Sequence, residues 1–327
     1  MKRVHSNLRT QPVVRSPRRS FGCAEGIRFA ARLATTAGYL GLARARRGPG
    51  VAMHLRAWSI ALAILWRESD PAHRNLAYGL LAAPMDSVRY FELDFAWRSI
   101  RQIPLRGSMV DVSSPRLLPV ALLFKRPDVE AVLVNPDPRD LSATQALVAA
   151  CRLSDRCSYR LDQMRDLRIP LASTDLVTSI SVVEHIPGDG DVDAVARMWT
   201  WLRPGGRLTL TVPCAREPFE EYSDLDEYGL LAPDEGGFVF GQRFYDERMI
   251  RDRFFRTCGP PTRIAIFGER RAGTFFADRE RKLMGRAAWA REPYAQATGY
   301  RNFESIETLP GVGIAAMEFT KPSPYSA

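Results

Sequence analysis

Four short apolar runs in the middle of the chain each end where polar chemistry begins. Val110-Asp111-Val112-Ser113-Ser114-Pro115 closes the first, Val134-Asn135-Pro136-Asp137 the second, Leu161-Asp162-Gln163-Met164 the third and Ile180-Ser181-Val182-Val183-Glu184-His185 the fourth. Asp111, Asp137, Asp162 and Glu184 are strong hydrogen-bond acceptors, the groups that hydroxyls, amines and ammonium ions require. Glu184 and His185 side by side are also the best-placed proton donors and acceptors in the sequence. A phosphate-rich ligand would call instead for a glycine-rich turn with free N–H groups, and neither G-x-G-x-x-G nor G-x-x-x-x-G-K-[ST] follows any of these runs. Nicotinamide dinucleotides and nucleoside triphosphates are therefore poor candidates.

Such residues need strands to carry them. Apolar runs at 109–112, 131–134, 158–161, 176–180, 207–212, 263–267 and 315–319 read as strands, with helical patterns at 117–124, 142–151, 191–201 and 246–254 between them. This alternation predicts a doubly wound α/β domain over residues 107–327, with a mainly parallel, seven-stranded sheet. In such a sheet the ligand lies beyond the carboxyl ends of the strands, where the acidic residues fall. Residues 213–242, rich in acids, Gly and Pro, interrupt the repeat and are expected to form a lid. Helical spacing across 51–106 predicts an N-terminal helical cap, whose Arg89-Tyr90-Phe91-Glu92 segment is positioned to close the site. Residues 1–50, Arg- and Ser-rich, read as a basic flexible arm with one helical stretch over 27–43.

Charge and cysteine content narrow the function classes. The net charge of +9 is concentrated in the arm: eleven of the 46 Lys/Arg but one of the 37 acids precede position 51, leaving the body close to neutral. A nucleic-acid enzyme would carry its basic stripe on the folded surface, so that class is demoted, although the arm could still be attracted to an anionic membrane surface. Five cysteines without C-x-x-C or Cys/His pairing suggest reduced thiols and no metal. No apolar stretch reaches membrane-spanning length, and the apolar run expected after Arg18-Arg19-Ser20-Phe21 is broken by Glu25, Arg28 and Arg32, so the expectation is a cytoplasmic protein without an export signal.

The segment from Asp162 to Thr211 resembles the second half of class I S-adenosylmethionine-dependent methyltransferases. The resemblance rests on Asp162-Gln163-Met164-Arg165-Asp166-Leu167, on Glu184-His185-Ile186 and, most specifically, on Leu202-Arg203-Pro204-Gly205-Gly206-Arg207-Leu208, where the family ends a helix and enters its fifth strand. It implies a Rossmann-like methyltransferase fold with S-adenosylmethionine as cofactor. It further implies that Asp111 fixes the methionine amino end, that Asn135 or Asp137 binds the ribose hydroxyls, and that Asp162 and Met164 bracket the adenine, with Ser181 also facing the cofactor. The first turn departs from the family pattern, since Ser113, Pro115 and Leu117 stand where glycines are usual. The Asp-Val-Ser-Ser-Pro turn is similar to that of methyltransferase-like proteins associated with bacterial polysaccharide pathways, in which Ser113 and Ser114 hydroxyls would replace glycine-supported backbone contacts.

The acceptor is expected to be a small molecule or glycan precursor, methylated on oxygen, with His185 first and Glu184 second as the proton-transfer residue. Tyr222, Arg243 and Tyr245 could grip a polyol by stacking and hydrogen bonding. The alternatives are an RNA or protein methyltransferase recruited by the basic arm, and a methyltransferase-like binding protein. His5, His54 and His73 lie outside the α/β segment and are expected at the surface.

Overall fold

A computed structural model describes residues 1–6, 23–101, 103–224, 229, 231–283 and 289–323. Its centre is an eight-stranded sheet made of β2 (Ser108–Val112), β3 (Glu130–Val134), β4 (Cys157–Arg160), β5 (Thr174–Ile180), β6 (Leu202–Ala215), β9 (Arg263–Glu269), β10 (Tyr300–Phe303) and β11 (Val312–Thr320). The spatial order is β10-β9-β11-β6-β5-β2-β3-β4. Strands β4, β3, β2, β5 and β6 run parallel, while β11 pairs antiparallel with both β6 and β9. The eighth strand, β10, pairs antiparallel with β9 at the sheet edge. Its four residues, Tyr-Arg-Asn-Phe, lack the continuous apolar run of the central strands, which is why the sequence pattern predicts seven.

The central strands are buried on both faces. All seven residues of β5 are buried, as are eight of nine in β11. Helices α5 (Leu117–Lys125), α6 (Pro138–Ala150) and α7 (Gly190–Trp201) connect the parallel strands. Asp137 caps α6 by accepting from Arg139 N (2.9 Å), with Pro138 supplying the preset first-turn geometry. After α7, Gly205 adopts a left-handed conformation (φ +78°), and a side chain on Gly206 would collide with the carbonyls of Arg203 and Thr174. The Pro-Gly-Gly turn thus admits the chain to β6 alongside β5.

The cap consists of α2 (Val51–Arg67), α3 (Pro71–Ala82) and α4 (Arg89–Ile100), preceded by α1 (Cys23–Ala45). Met53, Ile60, Ile64, Leu80, Tyr90, Leu93 and Trp97 share one apolar core with α5 and β2, so the cap is packed onto the sheet. His54 belongs to that interior, hydrogen-bonded to the Tyr90 hydroxyl at 2.8 Å, rather than to the surface.

The described residues 1–6 and 23–50 differ from the expected flexible arm. Residues Lys2–Ser6 form β1, which pairs in parallel with β7 (Phe219–Ser223), and β7 pairs antiparallel with β8 (Val239–Phe244). Helix α1 buries Leu40 and Ala43 against Val51 and Ala297. Apolar residues spaced along α1 account for its docking despite the basic composition. Arg18-Arg19-Ser20-Phe21 lies outside the described residues. Strands β7 and β8 fall largely within residues 213–242, the segment expected to form a lid, and with β1 they make the small sheet called the lid sheet below. After β8 come α8 (Glu247–Ile250), a π-helical turn at Arg251–Phe255 and α9 (Arg256–Cys258). Helices α10 (Thr274–Leu283) and α11 (Glu292–Gly299) lie between β9 and β10.

Candidate active site

A cavity of about 1750 Å³ lies beyond the carboxyl ends of β2 to β5, enclosed by the cap, the lid strands and α10–α11. Its floor begins with the first turn. Ser113 takes a left-handed conformation (φ +52°), the backbone region a glycine would enter more easily. Ser113 N and Oγ both donate to the Val134 carbonyl, at 2.8 and 3.1 Å, while Ser114 Oγ accepts from Ile180 N at 3.2 Å. The two serines thereby stitch the turn to β3 and β5, and Ser113, Ser114 and Pro115 all line the cavity.

Asp111 does not line it. Its side chain is buried beneath the turn, where Thr178 Oγ1 donates to Oδ1 at 2.5 Å. Burial pushes its pKa up to about 6 against the opposing pull of Thr178 and Ser114. The role implied by the resemblance, contact with the methionine amino end, is therefore corrected to support of the turn: Asp111 packs within the sheet against Thr178 of β5, and the cavity lining begins only at Val112 and Ser113.

Asn135 and Asp137, the alternatives for the ribose, both line the cavity, but their free acceptors differ. Asp137 is committed to Arg139, which lies 3.0 Å away and pulls its pKa below the ordinary carboxylate range. Asn135 accepts from Asp137 N and donates to Asp140 Oδ2 at 2.7 Å. Asp140, which also pairs with Arg116 at 2.6 Å, is a cavity carboxylate that sequence reading missed; its position in the first turn of α6, three residues after the cap, was the available signal. Asp162 and Met164 also line the cavity.

The fourth strand leads to Ser181, again left-handed (φ +50°), and a short 3-10 turn, Val183–His185, that presents Glu184 and His185. Ser181 lines the cavity, but its hydroxyl donates to Glu92 of α4. Glu92 also accepts from Thr211 Oγ1 at 2.8 Å and pairs with Arg89 at 2.6 Å. The Arg89–Glu92 segment of the cap thus closes the site by locking the ends of β5 and β6.

Glu184 is 1% exposed and lines the cavity, and its Oε2 has no hydrogen-bond partner among the described residues. Burial, reinforced by the neighbouring Glu92 charge, pushes its pKa up to about 8. His185 Nδ1 donates to the Gly241 carbonyl of the lid at 2.5 Å, which fixes the proton on Nδ1 and leaves Nε2 as the lone-pair nitrogen of the neutral ring. Burial pulls the imidazole down to about 4, so the ring is neutral near pH 7.

Tyr222, Arg243 and Tyr245 do not meet the cavity. Tyr222 lies against His5 and Phe240 and under the Arg3 guanidinium. Its strand neighbours Glu221 and Ser223, on the opposite face of β7, line the cavity instead. Arg243 is buried in an ion network with Asp191 (2.9 Å) and Glu220 (2.9 Å), and Tyr245 donates to Asp191 at 2.8 Å. Glu221 is held by both guanidinium nitrogens of Arg279 and by Gln242, joining lid to α10. Nothing in the sequence pattern announced Arg279, which lies in the charged run 278–282 of α10. Among the described residues, no cluster of His, Cys, Asp and Glu could hold a metal ion.

A protein-family model described as "Methyltransferase domain" matches residues 117–210, from just after the Ser-Ser-Pro turn through the end of the site-bearing strands. Over that segment the chain is similar to methyltransferase domains. The residues lining the cavity fit S-adenosylmethionine, the cofactor that the sequence resemblance implies: Asn135, Asp140 and Asp162 offer acceptors. No curated protein matches this sequence. Among solved structures it is similar to the [4+2]-cyclase SpnF, at 13% identity over 71% of this chain and 80% of that one, with a TM-score of 0.47. It is also similar to geranyl diphosphate C-methyltransferase from Streptomyces coelicolor A3(2), at 11% identity over 78% and 82% of the two chains, with a TM-score of 0.46. A third likeness is to a sarcosine dimethylglycine methyltransferase-type protein from Galdieria sulphuraria, at 11% identity over 77% and 99%, with a TM-score of 0.45.

Proposed function

We propose that this methyltransferase methylates a hydroxyl of a small-molecule or glycan-precursor acceptor, with Glu184 receiving the proton. The observation that carries the reading is the buried, half-unpartnered Glu184 carboxyl at the cavity wall. When bound, S-adenosylmethionine supplies an electrophilic methyl group on a sulfonium sulfur, and alignment with the acceptor accounts for most of the rate enhancement. A hydroxyl of high pKa must shed its proton as its oxygen bonds to the methyl carbon and the carbon–sulfur bond breaks. A carboxylate whose pKa is near 8 is matched to that task, whereas an imidazole pulled to about 4 is a weak base. The electrostatics thus favour Glu184 over His185, whose fixed tautomer suits it to accept a hydrogen bond at Nε2 and orient the acceptor.

Trp289, Phe275 and Phe240 on the cavity wall offer apolar faces, and Asp86, Asp278 and Glu292 offer carboxylates, a combination suited to a polyol. Four described cysteines are unpaired thiols, which suits a reducing, cytoplasmic setting.

The test is methyl transfer from labelled cofactor to a panel of hydroxylated small molecules and sugar nucleotides. Wild-type kcat/KM should rise as pH increases through about 8, because the active form is the carboxylate. Glu184→Gln should lower kcat about a hundredfold and flatten that limb, while the cofactor Kd stays within about threefold. Full activity in Glu184→Gln, or methyl recovered on nitrogen or carbon, would overturn the assignment.

A further inference from the structure

The outer face of α2 carries no charge along its length. Ala52, Leu55, Ser59, Leu62 and Trp66 follow one another at helical spacing and all are exposed, with Leu55 at 44%, Leu62 at 59% and Trp66 at 91%. A helix in a water-soluble cap would ordinarily place Glu and Lys on such a stripe.

The stripe is bordered by cations. Arg46 and Arg47 immediately precede α2, and with Arg98, Arg263, Arg270 and Arg301 they line a shallow groove of about 460 Å³ between α4 and β9. Asp94 is the only carboxylate among the groove's lining residues, and Ile264, 49% exposed, lies among the arginines. Arg56, on α2 next to Leu55, bridges the two features: its guanidinium lies over the Trp97 ring and within electrostatic reach of both Asp94 and Arg101. Apolar stripe and arginine groove are thus adjoining parts of one surface, distinct from the cofactor cavity. Trp66 marks the far end of the stripe, beside Arg67 and Arg152.

We propose that this surface docks the methyltransferase on an anionic lipid bilayer, with Trp66, Leu62 and Leu55 entering the headgroup–acyl boundary and the arginines pairing with lipid phosphates. Charge and shape together select this partner. An anionic bilayer meets both halves of the surface, burying aliphatic side chains and neutralising guanidinium groups. Nucleic acid offers phosphates but nothing in which Leu55, Leu62 and Ile264 would be buried. A two-fold dimer through the stripe would bring each copy's arginine groove toward its image, like charge against like. No helix of the described residues is long and apolar enough to cross a membrane, so the contact is peripheral.

Co-sedimentation of the full chain with phosphatidylcholine vesicles, with and without about one-third phosphatidylglycerol, tests this. Wild type should partition onto the anionic vesicles at least about tenfold better than onto neutral ones, and raising salt toward 1 M should largely reverse binding. Leu62→Glu, Trp66→Ser and Arg98→Glu should each lower the bound fraction severalfold, with circular dichroism and calorimetric cofactor binding unchanged. Wild type remaining in the supernatant, or stripe variants that bind like wild type, would overturn the proposal. So would light scattering that finds a dimer dissociated by Leu62→Glu, which would assign the face to a second copy. Binding to single-stranded RNA retained by Leu62→Glu and lost in Arg98→Glu, without lipid binding, would overturn it in favour of nucleic acid.

Discussion

The two halves of the cavity are built differently. On the proposed cofactor side, the walls are strand ends and turns fastened by backbone bonds: Ser113 N to Val134 O, Asn135 N to Arg160 O, Ser181 N to Thr211 O. On the proposed acceptor side, they are held by side-chain ion pairs between separate elements, such as Glu221 with Arg279 and Arg243 with Asp191 and Glu220. The first kind of wall is rigid because the sheet is rigid. The second depends on charges that were desolvated in pairs, so it can be loosened one side chain at a time without disturbing the sheet.

The sharpest way to break that contrast is Arg243→Met. Arg243 is 2% exposed, and its removal leaves Glu220 without its guanidinium and Asp191 with Arg253, Tyr245 and the Val192 N–H. Deleting one partner of a buried pair typically costs about 3–5 kcal/mol, and the surviving Arg253 contacts place this case near the lower bound. Urea denaturation should show the loss as a lower midpoint. An unchanged midpoint would mean that the lid sheet is held by its strand pairing rather than by its charges.

The same contrast explains what could be read in the sequence. The seven central strands and the helices between them were legible because each imposes an apolar period, and the strand-end residues followed from topology alone: Ser113, Asn135, Asp162 and Glu184 all reach the cavity. Asp111 was misplaced by one residue, because the cavity lining begins at Val112, the last residue of β2. Tyr222 and Arg243 were chosen for their chemistry, but the lid's register, which no local pattern fixes, turns Glu221 and Gln242 to the cavity instead. The pairing of β1 with β7 spans more than two hundred residues and leaves no local signature, so the N-terminal segment read as an arm. Composition describes solvation well and long-range pairing poorly.

An intermediate effect is expected where the acceptor wall meets α10. Burial alone would raise the Glu221 pKa, and Arg279 is the chief cause of its net displacement below the ordinary value. Arg279→Met should therefore loosen the lid over the acceptor, raising acceptor KM about tenfold, roughly 1.4 kcal/mol. The cofactor Kd, set on the other side of the cavity, should be unchanged by calorimetry. Equal losses in both would show that the two halves do not act separately.

A broader titration separates the interior of the cap from the lid. His54 and His185 are both pulled down to about 4 by burial and stay neutral in the folded chain, whereas in the unfolded chain they protonate near 6.5. The unfolded state therefore binds more protons between those values, and stability present above about pH 6.5 is lost as pH falls toward 4. His54→Leu should reduce the slope of urea midpoint against pH in that window without altering acceptor KM. A slope unchanged in His54→Leu would assign the acid sensitivity to His185 and the lid.

The smallest effect, and the most exacting comparison, concerns Ser113. Its left-handed backbone costs a serine on the order of 1 kcal/mol that a glycine would not spend, while its hydroxyl returns a hydrogen bond to Val134 of similar worth. Ser113→Gly restores a glycine at one of the positions where the family usually has one, and the two contributions nearly cancel. Stability should change by less than about 1 kcal/mol, and cofactor affinity by less than about threefold. If Ser113→Gly instead weakens the cofactor tenfold or more while the urea midpoint holds, the hydroxyl itself touches the ligand, and the serine turn is a binding element rather than a replacement brace for the missing glycines.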